Sequence, residues 1–342
     1  MIITRTPFRI TLGGGGTDLP SFYQEHGGFV FAMTINKYMY LMLHRLPVTE
    51  RKTIVRYTQV EYVNAPEEIQ HPLAREALKL HNVREYVELA SMADLPAKTG
   101  LGSSGAYLVG LLTAIRAYQR KPLDVAQIAE EACHIEMDIL KEPVGKQDQY
   151  MAAYGGFQTL EITRDGRVTV SAVPVDFTTA TELSHKARIY YTGIQRSATS
   201  VLKNQDTASR DKRSPEHNRV VESLCQIKEI GQQIKQAFLK HDLDTFGRLM
   251  DKHWQAKQKL SKNVSLNFLD ELYARVKKEF DVLGGKVIGA GGGGFLMLYT
   301  PQRVRELDAF MVQQGLPPVS YFPAMQGAHV VSDLTVSDEF AS

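Results

Sequence analysis

Residues 100–105 read Gly-Leu-Gly-Ser-Ser-Gly and set glycines at the spacing G-x-G-x-x-G ahead of an apolar run, "AYLVGLLTAI". The pair Ser103-Ser104 falls in the first turn of the helix that this run predicts. Four N–H groups at a helix start lack intrahelical partners, and the helix dipole adds about half a positive charge there. Such an end is a ready anion site. A serine hydroxyl in that turn can also ligate Mg²⁺ beside a phosphate, as in Walker A loops, although G-x-x-x-x-G-K-[ST] does not occur in this chain. Two other readings compete: a dinucleotide fingerprint and a tight turn with no ligand. The fingerprint needs an abrupt step from strand to turn, and here "LPAKT" separates the strand from Gly100. A second match, Gly289, Gly291 and Gly294, runs into the strand-like "FLMLYT", where the fingerprint must open a helix.

The elements that would position this loop follow from periodicity. Strands are expected over 2–12, 29–46 (one or two, buried), 53–63, 87–94 and 157–175, and a short helix over 71–83. The loop leads into a helix at 104–119, and a second helix spans 124–141 with Asp124 as its cap. Residues 142–156 read as irregular. After a polar stretch near 180–186 comes a strand and turn at 187–198, then long helical periods at 216–239, 243–261 and 267–280. Val221, Leu224, Ile227, Ile230, Ile234 and Phe238 recur at helix spacing. "KVIGAGGGGFLMLYT" reads strand–glycines–strand, and a helix near 301–314 and strands to about 332 close the chain.

Composition bounds the function. The 342 residues are 43% hydrophobic and 23% charged, an ordinary globular balance. A net charge of +2 argues against nucleic acid or an anionic membrane as partner. No run of 18 apolar residues suggests a transmembrane helix, and the N-terminus lacks the pattern of a signal peptide, so a cytoplasmic protein is expected. Cys133 and Cys225 form no C-x-x-C site or disulfide framework, and the histidines show no H-x-x-x-H pair for zinc.

"PAKTGLGSSGAYL" (96–108) resembles the second motif of the GHMP kinases, P-x-x-x-G-L-G-S-S-A, with Gly105 where alanine is usual. "TPFRITLGGGGTDLP" (6–20) resembles the first motif and "KVIGAGGGGFLMLY" (286–299) the third, in the family's order and spacing. The resemblance implies an ATP-dependent sugar kinase with a two-domain α+β fold. A ribosomal S5 domain 2-like N-terminal domain would span 1–183 and a ferredoxin-like C-terminal domain 184–342, with the site in the cleft between them. The implied ligands are ATP, Mg²⁺ and a sugar phosphate, and a homodimer is compatible with this reading.

Residue by residue, the resemblance implies that Lys98, Gly100, Leu101, Gly102, Ser103, Ser104 and Gly105 cradle the triphosphate. Ser104 and Glu136 would hold Mg²⁺, which needs few protein oxygens; Glu130, Glu131 and Asp138 lie near enough in sequence to compete. Glu136 precedes Asp148 by 12 residues, the spacing of the acidic pair in galactokinases. Asp148, in "GKQDQYMAAYGG", is the implied base, and Arg9 the cation beside it and the transferred phosphoryl. Lys146 is an auxiliary phosphate contact, and Tyr57 falls near the adenine pocket. Gly15, Gly16, Thr17, Asp18, Gly155, Gly291 and Gly292 are implied substrate contacts. The galactokinase glutamate and histidine are replaced by glycines in "GGGGTDLP", which resembles heptose and fucose kinases of the superfamily, as do "YYTGIQRSA" and "HWQAKQKLSKNVS". A phosphorylated heptose would need a second anion site, and Arg196 with Ser197 is the candidate. The reading from another class is a non-catalytic sensor on this scaffold; Ser104, Glu136, Asp148 and Arg9 together argue against it.

Overall fold

The computed structural model describes residues 1–46, 51–194, 198–260, 266–289, 291 and 293–335. In chain order the elements begin β1 (Ile2–Gly13), α1 (Pro20–His26), β2 (Gly28–Arg45), β3 (Thr53–Arg56), β4 (Val60–Val63), α2 (Pro72–Leu80), β5 (Val87–Ala93), α3 (Ser103–Tyr118) and α4 (Val125–Cys133). A π-helical turn, His134–Ile139, then leads to α5 (Gln147–Tyr154), β6 (Phe157–Ile162), β7 (Val168–Ala172) and α6 (Phe177–Lys186). The remainder is β8 (Ala187–Tyr191), α7 (Ala198–Arg210), α8 (His217–Leu239), α9 (Leu243–Gln258), α10 (Asn267–Glu279), β9 (Gly284–Val287), β10 (Phe295–Tyr299), α11 (Val304–Gln313), β11 (Pro318–Val319) and β12 (His329–Asp333).

Two sheets organise these elements. The larger runs β12-β1-β2-β5-β3-β4, with β6 also on β2 and β7 on β6. The expected segment 29–46 is one strand, long enough to pair with β6 over Gly28–Met33 and with β5 over Met39–Arg45. The β1–β2 register shifts between Pro7 and Phe8, just before Arg9. Such irregularities bend a strand and re-aim its side chains next to sites. The smaller sheet is antiparallel, β11-β8-β10-β9.

α3 lies against β1 and β2 and is buried from Gly105 through Arg116. A helix apolar on every side belongs in a core. Asp124 caps α4 as expected, accepting from Gln127 N–H at 3.0 Å. α8 and α9 join the two cores. Ile234, Phe238, Phe246 and Met250 pack with the larger sheet, and Val220, Leu224, Ile227 and Trp254 pack with the smaller one. Val220 takes the buried position expected of Val221.

Several expectations change. The irregular 142–156 contains α5, and the polar stretch 180–186 is the end of α6. The expected division after residue 183 therefore falls inside a helix. β12, beyond that division, pairs with β1 in the first sheet, Ile2 opposite Asp333. It covers an edge that β1 would otherwise leave unpaired. The expected single strand at 53–63 is the hairpin of β3 and β4.

Candidate active site

Arg9 and Asp148 are 139 residues apart in sequence and meet in space. Arg9 Nε donates to Asp148 Oδ1 at 2.8 Å, and Nη2 lies 2.7 Å from the same oxygen. Arg9 Nη1 also donates to the Gly100 carbonyl, and its backbone N–H donates to Leu101 O at 3.1 Å. One arginine thus ties the carboxylate to the glycine–serine loop. Gly102, at φ +78°, is the N-cap of α3, so the free N–H groups of that helix open beside Arg9 and Asp148. Ser103 is half-buried and Ser104 exposed at this end.

Gly105 marks how closely α5 approaches. A Cβ there would lie 2.9 Å from both the backbone carbon and the Cβ of Asp148. The departure from the family's alanine thus lets the first turn of α5 seat directly on the first turn of α3.

Glu136 is brought inward by the π-helical turn and is 2% exposed. Single π turns often occur at functional sites. The Ser104 hydroxyl and Gln149 Nε2 hydrogen-bond its carboxyl. Burial pushes the Glu136 carboxyl up to about 7, against the lowering effect of those two bonds. Gln149 Oε1 is buried with no partner among the described residues. A carboxyl, a hydroxyl and an orphaned amide oxygen are hard donors, so the residues fit a magnesium ion that takes its other ligands from phosphate and water. Of the competing acids, Glu130 binds Lys146 at 3.0 Å, Glu131 binds Arg116 at 2.6 Å, and Asp138 pairs with His134.

Several other expected residues make bonds within the fold. Asp18 is 1% exposed. Its carboxyl accepts from Gly16 N–H at 3.1 Å, Gln147 N–H at 3.0 Å and Gln147 Nε2 at 3.2 Å. It thereby satisfies a free donor at the start of α5 and braces the turn that carries Asp148. Thr17 is fully buried, its Oγ1 2.8 Å from the carbonyls of Gly14 and Phe29. Gly155 is buried at the far end of α5, where a Cβ would lie 2.2 Å from Gly327 N. An eight-residue helix puts it about 10 Å from the Asp148 end. Lys146 is spent on Glu130 and on Gly166 O at 2.8 Å. Gly15 and Gly16 stay partly exposed, and Lys98 is exposed at φ +62°. Tyr57 meets His71 edge-on, and His71 stacks on Tyr107 of α3. Arg196, Ser197 and Gly292 lie outside the described residues.

The third glycine stretch closes the site from the other side. Gly289 and Gly100 touch by backbone: a Cβ on Gly289 would lie 2.4 Å from Gly100 Cα. A Cβ on Gly294 would lie 2.2 Å from Thr99 O. Gly291, at φ +101°, is partly exposed between them. Behind this stretch stand three buried bases, His253, Lys257 and Lys286, which lie inside the stretches "HWQAKQKLSKNVS" and "KVIGAGGGGFLMLY" but have no implied role there. The i, i+4 spacing of His253 and Lys257 on a helix with apolar neighbours was the available signal.

Comparisons with known proteins place the chain in a family. Residues 71–156 match the family model of the GHMP kinases N terminal domain, and residues 234–312 that of the GHMP kinases C terminal. The chain belongs to the GHMP kinases. The N-terminal match carries the glycine–serine loop, Glu136 and Asp148; the C-terminal one carries α9 and the third glycine stretch. A D-glycero-alpha-D-manno-heptose 7-phosphate kinase of Campylobacter jejuni is 27% identical, over 92% of this chain and 94% of its own length. An L-fucokinase/L-fucose-1-P guanylyltransferase of Bacteroides fragilis is 25% identical over 94% of this chain, which spans 37% of that protein. The crystal structure of a D-glycero-D-manno-heptose 1-phosphate kinase from Bacteroides thetaiotaomicron superposes with a TM-score of 0.79 at 22% identity, over 98% of this chain and all of the other. As a GHMP kinase it is an ATP-dependent phosphotransferase with the family's two-domain α+β fold. Among the described residues no helix is long and apolar enough to cross a membrane.

Proposed function

We propose that this GHMP kinase transfers the γ-phosphoryl group of ATP to the anomeric C1 hydroxyl of D-glycero-D-manno-heptose 7-phosphate. The 1,7-bisphosphate product would serve nucleotide-activated heptose for surface polysaccharide, made in the cytoplasm where ATP is at hand. The observation that carries the chemistry is the Arg9 clamp, which holds Asp148 against the glycine–serine loop. The name of the Campylobacter relative supports the sugar.

In this reading the N–H groups of residues 103–105 and the exposed Ser104 receive the triphosphate. Glu136 and Ser104 hold Mg²⁺, with Gln149 beside them. When bound, the metal neutralises phosphate charge. Asp148 orients the sugar hydroxyl and accepts its proton as the phosphoryl group moves to oxygen. Arg9 stabilises the negative charge that develops there. Gly15, Gly16 and Gly291 leave backbone room for the sugar, and Tyr57, with His71 and Tyr107, lies on the adenine side.

A fucose-type 1-kinase without a substrate phosphate is the second reading, favoured by the Bacteroides fragilis relative. ADP release should be followed across hexoses, heptoses and their phosphates, with NMR of the product to identify the phosphorylated carbon. Turnover confined to heptose 7-phosphate, with new phosphorus coupling at C1, is the expected outcome. Equal turnover of unphosphorylated fucose would replace this reading with the second.

A further inference from the structure

The wall behind the third glycine stretch is built of bases, and no acid pairs with them among the described residues. His253 and Lys257 sit one turn apart on α9, and Lys286 is on β9; their exposures are 2%, 9% and 3%. Both lysines point at backbone carbonyls of the glycine motifs. Lys257 Nζ donates to Val287 O at 3.3 Å and to Gly289 O, and Lys286 Nζ donates to Leu12 O at 2.9 Å. Neither nitrogen of His253 has a partner among the described residues. The charged groups facing the three are one another and Arg9, and the Trp254 ring lies 6.0 Å from Lys257 Nζ. The acid that reaches Arg9 is Asp148.

Buried cations without a counter-ion are held against the fold's own stability. Burial, reinforced by Arg9, lowers Lys257 to about 7, and burial with the neighbouring lysines takes His253 well below its ordinary value. The position of the cluster suggests what completes it. Gly289, which Lys257 holds, abuts Gly100, and Leu12, which Lys286 holds, precedes the glycines at 13–16.

We propose that Lys257 is a positioning residue for phosphoryl transfer: it latches the third glycine stretch onto the glycine–serine loop, and the triphosphate of ATP supplies the counter-charge that this buried base cluster lacks. The inference rests on the triphosphate occupying that loop, and not on which sugar is the acceptor. As the anion arrives, neutral Lys257 takes a proton from solvent and becomes an ammonium.

The test is calorimetric binding of Mg²⁺ with a non-hydrolysable ATP analogue to the full-length protein near neutral pH, in two buffers of different ionisation enthalpy. Proton release from Glu136 is common to wild type and variants and cancels in their difference. Lys257→Met is expected to bind about tenfold more weakly and to take up fewer protons than wild type. Lys257→Arg, permanently charged, is expected to bind while also taking up fewer protons. Wild-type affinity and proton count in a folded Lys257→Met would overturn the proposal. Should that variant not fold, a wild-type proton count in Lys257→Arg would overturn it alone. No sugar is present, so a wrong heptose assignment leaves these results unaffected.

Discussion

The two sides of the candidate site bury opposite charge. On one, the glycine–serine loop, the π-helical turn and α5 bring together Glu136, Asp148 and Asp18, with Arg9 as the cation among them. On the other, α9 and β9 carry His253, Lys257 and Lys286, with no acid against them among the described residues. Burial acts on both by one rule, disfavouring the charged form. It therefore raises the carboxyls of Glu136 and Asp18 and lowers the three bases. Each wall waits for what the other cannot give it. A metal ion suits the carboxyl side and a polyanion suits the basic side, and magnesium–ATP is both at once.

Four experiments would break or sharpen this contrast. The largest effect is expected from Asp148→Asn, which keeps shape and removes the proton acceptor. kcat should fall by about 10²–10⁴ with the thermal transition little changed; wild-type turnover would remove Asp148 from the chemistry. Glu136→Gln comes next, weakening the response to Mg²⁺ by at least about tenfold in a titration of activity. It carries a pH signature too. The native carboxyl titrates near 7 rather than at its ordinary 4.5. Between those values the native state binds more protons than the unfolded chain, so metal-free stability falls as pH rises. Thermal melts of Glu136→Gln should lose that slope.

Gly105→Ala should be milder. The added methyl meets the backbone of Asp148, and overpacking of this kind is typically worth about 1–3 kcal/mol. If α5 gives way, kcat should drop by about tenfold while ATP binding holds. If alanine's better helix propensity wins, stability rises instead and the close seating is dispensable. The smallest effect on turnover belongs to His253→Leu, whose signature is in stability and opposite in sign to that of Glu136. His253 resists protonation in the fold, whereas the unfolded chain takes a proton near 6.5. Stability is therefore lost as pH falls below that value. The leucine variant should melt higher than wild type below about pH 6 and close to it near pH 8. An unchanged gap between the two would mean that the basic wall carries no titrating histidine.

How much was readable varies with the range of the interaction. The loop at 100–105, its helix, the cap at Asp124 and the helical periods of α8 and α9 rest on neighbours a few residues apart, and they stand where expected. α5 was not legible. It has eight residues between glycines and no amphipathic stripe, because both its ends are held by distant groups: Asp18 at the start, and Gln326 and Gly327 at Gly155. The same distance hid the bonds that Asp18 and Thr17 make within the fold, which only packing shows.

By itself the sequence determined the parts: three glycine motifs in order, a serine pair at a helix start, and an acid, a base and an arginine of the types phosphoryl transfer needs. Backbone freedom and capping are local properties, so residue type and spacing suffice to read them. The tertiary structure alone decided the pairings. It joined Arg9 to Asp148, folded Glu136 inward onto Ser104, turned Asp18 into a brace, and set three bases behind Gly289. Burial and electrostatics depend on everything that packs around a group, and that is settled only when the chain has closed on itself.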